Sequence, residues 1–358
     1  MHARFHASGW SAFCRALIGL ALVTPVAAQE ADWSRLIQRG REEFEDGQYY
    51  DAQKTFEQGL GIARKSNPRA AQVSESLILL ADTLWKLAEE EKAEPLIREA
   101  IGIDESLGEP GRKNLGRDHE CLARILLERG KVPEAMTAIQ TAESHDQKEL
   151  GREHVNAIRD METRARILAK QRPEEAERIL RQVVELREVA LGRDHLLVGE
   201  ALSHLVQVLL DTGQHVAAER PYVRARSIIL LNYGPDHIDL VPMLLAEARM
   251  EDIAGRDSTP IRDHALSIVE RVFGPDHIRW ARLVVGNAEY QFRFRRFPMA
   301  EQMIKEALPI VAARHGERSV EVARIFRGLG LAYSGQGRLA ESDEAIRRAI
   351  AIEEKLKR

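Results

Sequence analysis

Apolar positions recur at helical spacing along most of the chain, in blocks separated by turn residues, and the blocks repeat. In the last block a periodic run reaches Leu329, Gly330 and Tyr333, a Gly335-Gln336-Gly337 turn follows, and a second run passes through Ser342, Ile346 and Ala349. The small residues Gly330, Ser342 and Ala349 are spaced by 12 and 7. The same triad stands at Gly40/Ala52/Gly59, Ala81/Ala93/Ala100, Ala123/Ala135/Ala142 and Ala288/Ala300/Ala307. Degraded copies stand at Arg164/Ala176/Val183, Val206/Ala218/Ala225 and Ala248/Pro260/Ser267. Their first members fall at 40, 81, 123, 164, 206, 248, 288 and 330, a period of 40–42 residues. A fixed period in this range predicts a solenoid of stacked supersecondary units.

The triad has a physical cause. Two helices joined by a tight turn run antiparallel with axes roughly 8–10 Å apart, and Gly, Ala or Ser at the crossing brings them to the short end of that range. Two of the three small residues lie seven apart on the second helix, close to two turns, so both face the first helix. Ile97, Ile139, Tyr222, Ile304 and Ile346 fill the groove beside the contact. The predicted first helices of the pairs (A) run over 33–46, 69–88, 111–129, 153–170, 194–212, 236–254, 276–294 and 318–334. The second helices (B) run over 48–65, 90–107, 132–150, 173–191, 214–233, 258–273, 298–315 and 338–356.

A second ladder marks the joints between pairs: Asn67, Gly108, Gly151, Gly192, Gly234, Gly274 and Gly316. Glycine past a helix end takes the left-handed conformation without steric cost, and Asn is its usual substitute. Asp194, Asp236 and Asp276 follow two residues later, placed to cap the next helix. Leu115 to His119 resembles the joint at Leu191 to His195. The ladder spacing instead assigns this joint to Glu109-Pro110-Gly111 and puts 115–119 inside helix A or at its frayed start.

With Leu329-Gly330 and Tyr333 on helix A, and Ala or Ser, a large apolar residue and Ala on helix B, the pairs resemble tetratricopeptide repeats. The period near 41, the Gly-Pro-Asp-His joints at 234–237 and 274–277, and Ala93-Glu94-Pro95-Leu96 resemble the longer repeats of kinesin light chains. The resemblance covers 31–357. The chain departs from that pattern at Val155, Leu196, Ile238 and Ile278, which stand where those repeats usually have Pro. The resemblance implies an all-α fold, a right-handed α-solenoid of about eight antiparallel helix pairs. It also implies a concave groove built from the A helices, to which a protein or peptide binds. Counted from the small residue of each A helix, the groove-facing candidates are Asp82, Trp85, Arg124, Gln207, Arg249, Glu289, Phe292 and Arg327, and Arg293 joins them as a candidate contact from the basic and aromatic run at 292–297. The paired Lys and Asn of the family's carboxylate clamp are not recognisable.

The N-terminus departs from this pattern. His2, Arg4, His6 and Arg15 precede an apolar run from Ala16 to Val23, then Thr24-Pro25-Val26-Ala27-Ala28, with no acidic residue before Glu30. This reads as a secretory signal peptide over 1–28, cleaved after Ala28, with the solenoid over 29–358. An uncleaved anchor is the alternative, but the apolar core is short for a bilayer core of about 30 Å. Cleavage removes Arg4 and Arg15 and takes the net charge from −4 to −6, which argues for neither nucleic acid nor an anionic membrane. A signal also sets aside cytoplasmic cargo transport and predicts a periplasmic or secreted protein. Cys121 is left as the sole cysteine, read as a small buried apolar residue.

No phosphate loop, His-Glu-x-x-His or Gly-x-Ser-x-Gly signature appears, so no catalytic residue and no cofactor is expected. His154, His195, His237 and His277 sit on successive repeats about 10 Å apart. Metal ligands converge to about 2.0–2.1 Å from one ion, so these four are read as joint packing, with no metal. Phe292-Arg293-Phe294-Arg295-Arg296-Phe297 interleaves bases with aromatics. It reads as inter-repeat packing with cations at a helix C-terminus, or as a stacking surface for bases or a protein segment. The expected function is a secreted or periplasmic scaffold that binds a protein or peptide in its groove. The alternative is an accessory or regulatory subunit of a cell-envelope enzyme or assembly complex. Mass spectrometry of the chain secreted by a bacterial host is expected to find Gln29 at the mature N-terminus; a product retaining Met1 contradicts cleavage.

Overall fold

The computed structural model describes residues 25–67 and 70–356. Residues 1–24 of the expected signal segment lie outside the described residues. Every element among the described residues is helical. The pairs are α1 (Pro25–Glu45) with α2 (Tyr49–Ser66) and α3 (Ala71–Lys86) with α4 (Glu90–Ser106). A single turn, α5 (Glu109–Arg112), precedes α6 (Leu115–Glu128) and α7 (Val132–Glu149). Next come α8 (Val155–Leu168) with α9 (Pro173–Leu191) and α10 (Leu196–Asp211) with α11 (His215–Tyr233). A 3-10 turn (Ile238–Leu240) leads into α12 (Val241–Ile253), paired with α13 (Thr259–Phe273). The last pairs are α14 (Ile278–Arg293) with α15 (Phe297–His315), and α16 (Val320–Gly335) with α17 (Leu339–Leu356). The architecture is thus the expected all-helical solenoid of eight antiparallel pairs.

The small residues lie at the crossings. A Cβ on Gly330 would fall 2.6 Å from Ile346 Cδ1, and Ser342 Oγ donates to Gly330 O at 2.8 Å. A Cβ on Gly40 would fall 2.5 Å from the Phe56 ring. Ala81, Ala93 and Ala100 are fully buried, as are Ala288, Ala300 and Ala307. Two degraded copies differ from expectation. In the fourth pair Arg164 is half-buried and pairs with Glu143 at 3.1 Å, while the adjacent Ala165 takes the buried position. In the sixth pair Ala248 is buried, but Pro260 and Ser267 are exposed. Ser258 and Ala265, also seven apart, are the buried pair. Gly255 and Ala265 are ten residues apart where Gly213 and Ala225 are twelve, so α13 has only 15 residues and its contact face falls two positions earlier.

The joints also differ in detail. Gly234 (φ 81°, ψ −178°) and Gly274 (φ 87°, ψ 162°) combine a positive φ with an extended ψ, a region open essentially to glycine alone. Asn67 is plainly extended at φ −159° and does not substitute for them. The caps are histidines rather than the expected aspartates. Nδ1 of His154, His195, His237 and His277 accepts the backbone N–H two residues on, at 3.1–3.3 Å. An accepting Nδ1 leaves the ring proton on Nε2. The expected joint at 109–111 extends to Asn114. Leu115 opens α6, and Gly116 in its first turn has no room for a side chain, since a Cβ would lie 1.8 Å from Asp146 Oδ1.

The coil closes on itself. His237 Nε2 reaches Glu45 O, at the end of α1, at 3.4 Å. One repeat later, His277 Nε2 donates to Leu87 O, just past α3, at 2.9 Å. The Tyr49 and Phe273 rings stack at 5.8 Å, and Lys86 Nζ sits 3.4 Å from Asp239 Oδ1. Tyr49 and Leu87 belong to the apolar core of the fourth to sixth pairs, and Ala88 to that of the last two. Five repeats therefore make one superhelical turn, and the sixth and seventh rest on the first and second.

Ala300→Leu and Ala265→Leu are expected to lower stability by about 1–3 kcal/mol through overpacking. Ser267→Leu should stay within about 0.5 kcal/mol of the parent. Thermal melts followed by circular dichroism check both; equal melting of Ala265→Leu and the parent contradicts the shifted register.

Candidate functional site

The A helices, the closure between superhelical turns and parts of the B helices line an open cavity of about 1170 Å³. Asp82, Trp85, Arg124, Gln207, Arg249, Glu289 and Arg293 line it together. Five of these sit one residue past the small position of their A helix, where the groove phase was expected: Asp82, Arg124, Gln207, Arg249 and Glu289. Phe292 and Arg327 do not line it. Phe292 packs into the core of the last pairs, its ring 6.3 Å from Phe297. Phe297 in turn covers Gly335, where a Cβ would lie 2.3 Å from its ring. Arg327 is held by Glu353 at 2.7 Å on the eighth pair, which lies beyond the closed turn. The interleaved run at 292–297 thus uses Phe292 and Phe297 as packing between repeats and turns Arg293 to the cavity.

Much of the charge in the cavity is organised into networks. Arg124 bonds Asp82 Oδ1 at 2.6 Å and Glu120 Oε1 at 2.9 Å, and its guanidinium lies 4.6 Å from the centre of the Trp85 ring. Thr163 Oγ1 donates to the same Glu120 oxygen at 2.6 Å. Deeper in, Glu162 accepts from Arg187 at 2.6 Å and contacts His204 Nδ1 at 2.9 Å. Burial alone would raise the Glu162 carboxyl, but the His204 hydrogen bond and the charges of His204 and Arg187 outweigh it and hold it at about 2. Arg187 comes from α9, a B helix, and is 2% exposed, so groove periodicity on the A helices misses it.

Other groups stay open to an occupant. Glu200 is pushed up to about 7 by burial and then by Glu162 and Asp239, so it is poised between its two charge states at neutral pH. Arg282 and Arg293 face the cavity, exposed, on α14, beside Gly286, where a side chain would meet nothing within 4 Å. Asn287 is 1% exposed, and its Nδ2 has no partner among the described residues. Bases and acids mix with Trp85, Tyr49, Tyr290, Leu245 and Pro242 on the wall. Such a surface suits a ligand with both polar backbone and apolar side chains. No cluster of metal-ligating side chains occurs among the described residues, and none of their helices is long and apolar enough to cross a membrane.

Beneath the groove lies a set of buried carboxyls: Asp104, Asp118, Asp146 and Asp160. Ser74 Oγ donates to Asp104 at 2.7 Å, while both oxygens of Asp160 lack partners. Burial, then Asp146 and Glu120, pushes Asp160 up to about 9. Its contribution is therefore fully present below the ordinary value near 3.8 and is lost as pH rises through about 9. Asp160→Asn, which cannot ionise, should gain on the parent by a few degrees of melting temperature between pH 4 and pH 9. Melting curves across that range check this; a constant difference contradicts a protonated Asp160.

Tetratricopeptide repeat profiles match residues 74–107, 168–230 and 323–356. No curated protein matches the chain. Among solved structures, the chain is similar to the Rap conjugation gene regulator of plasmid pLS20 in complex with the Phr* peptide. The identity is 13% over 91% of this chain and 96% of that one, with a TM-score of 0.61. It is also similar to the apo form of the quorum sensor NprR from B. thuringiensis, at 14% identity over 89% and 87% of the two chains and a TM-score of 0.57. A putative kinesin light chain from Podosopora anserina with TPR-like repeats matches at 20% identity over 56% of this chain and 95% of that one, with a TM-score of 0.42. Over those three stretches the chain matches tetratricopeptide repeats, and its described residues carry a helical solenoid fold of that kind.

Proposed function

We propose that the protein is a binding scaffold whose cavity holds an extended segment of another polypeptide. The observation that carries this reading is the cavity itself, ringed by aromatic and charged side chains from successive A helices. Its volume of about 1170 Å³ exceeds the roughly 300–1,000 Å³ of small-molecule sites. Networks such as Asp82–Arg124–Glu120 hold the wall rigid, which lowers the ordering cost of binding on the receptor side. The solved Rap regulator of similar fold is in complex with a peptide, and this supports the same class of ligand here. The composition of residues 1–28 supports action in the periplasm or outside the cell.

Selection of random linear dodecapeptides on the purified full chain tests the reading. Peptides recovered by the parent are expected to bind the Arg282→Glu/Arg293→Glu variant at least tenfold more weakly by isothermal titration. Both side chains are exposed and make no ion pair among the described residues, so the variant should melt as the parent does. Equal affinity for both proteins places the binding surface elsewhere.

A further inference from the structure

One seven-residue pattern, Asn-x-x-Arg-Asp-x-Glu, occurs twice in the chain, at 114–120 and 156–162, 42 residues apart. It stands at the start of α6 and of α8, and no other pair has it. The fold gives its residues separate surroundings. Asp118 and Asp160 turn inward and are fully buried. Glu120 and Glu162 hold the networks of the larger cavity, with Arg124 and Arg187. The asparagines and arginines, together with Lys113, border a second cavity of about 520 Å³. It adjoins the larger one, and Arg159 lines both.

The cations of this second cavity are largely uncommitted. Lys113 is exposed and Arg117 half-buried, and neither makes an ion pair or hydrogen bond among the described residues. Arg159 donates from Nη2 to Asn156 Oδ1 at 2.9 Å and reaches Glu120 only at 3.9 Å. Burial, then the hydrogen bond and charge of Asp104, pushes Asp118 up to about 9, and Asp160 is also pushed up to about 9. Both are neutral at pH 7, so neither offers the arginine before it a negative partner. Other charges on the wall are engaged elsewhere: Arg41 with Glu75 at 2.7 Å, and Asp82 with Arg124 at 2.6 Å. Glu45 is the one acid on this wall without an ion pair among the described residues.

We propose that the second cavity binds the phosphate of a small phosphate monoester through Lys113, Arg117 and Arg159, with the amides of Asn114 and Asn156 completing the donor set. Three cations against Glu45 leave an excess of two positive charges (3 − 1 = 2), and a phosphate monoester carries about −1.5 to −2 at pH 7. A carboxylate brings a single charge, and one bidentate arginine fills both its oxygens. Phosphate has a third oxygen for a second arginine or the lysine. The volume of about 520 Å³ lies within the roughly 300–1,000 Å³ of small-molecule sites. Phe44 and Leu79, both half-buried, give the same wall an apolar face for the organic part of the ester. Occupation of this site does not require a polypeptide in the larger cavity.

Isothermal titration of the purified full chain with phenyl phosphate, inorganic phosphate and benzoate tests the proposal. Phenyl phosphate is expected to bind at one site per chain, at least threefold more tightly than inorganic phosphate and at least tenfold more tightly than benzoate. Lys113→Gln/Arg117→Gln should melt as the parent does and weaken phenyl phosphate at least tenfold. If the double variant melts lower, Lys113→Gln alone, at an exposed position, should still weaken it at least threefold. No saturable binding of phenyl phosphate up to about 10 mM overturns the site, as does equal affinity of the parent and both variants. Benzoate bound as tightly as phenyl phosphate overturns the assignment to phosphate, and inorganic phosphate bound as tightly overturns the assignment to an ester.

Discussion

The close approach of paired helices is the constraint on which the rest of the molecule depends. Where Gly330 meets Ile346, or Gly40 meets Phe56, even one methyl group would intrude on the neighbouring side chain. Small residues at the crossings therefore let successive pairs pack closely. Repetition of one local geometry accumulates into a superhelix. After five repeats the accumulated rotation returns the chain to its start, and the sixth and seventh pairs lie on the first and second.

The histidines show how one side chain can serve both levels. His277 Nδ1 caps its own helix, and the tautomer this imposes leaves Nε2–H free to donate to a carbonyl 190 residues away. Burial holds the ring below its usual pKa and so favours that neutral form. His154 and His195 make the same cap but lie within the first superhelical turn. The same residue type at the same joint is a local cap early in the chain and a tertiary fastening later. The pattern that first suggests a metal site is thus explained by helix ends.

The wall of the cavity is expensive to build. Arg124, Arg187 and Glu162 are taken out of water and compensated by paired charges and hydrogen bonds, which locks their orientation. Asp160 has no such compensation and takes up a proton instead. Beside this network Arg282 and Arg293 stay exposed at the cavity.

Helices, pairing and most crossing residues were legible in the chain because those contacts join residues close in sequence and recur with one period. Asp82, Arg124 and Glu289 were legible for the same reason, since groove phase follows from the small residue one position before each. The sixth pair was misread because a two-residue deletion shifts helix B against its turn, and only burial shows that Ala265 rather than Ser267 meets α12. Arg187 escaped groove periodicity because it sits on a B helix, where it pairs with Glu162 of its own repeat. Arg327 fits the groove phase but lies on the eighth pair, beyond the closed turn. The fastening by His237 and His277 depends on where the superhelix brings distant repeats. Closure itself was decided only in three dimensions. It arises from small rotations summed over five repeats, and contacts about 190 residues apart leave no periodic trace along the chain.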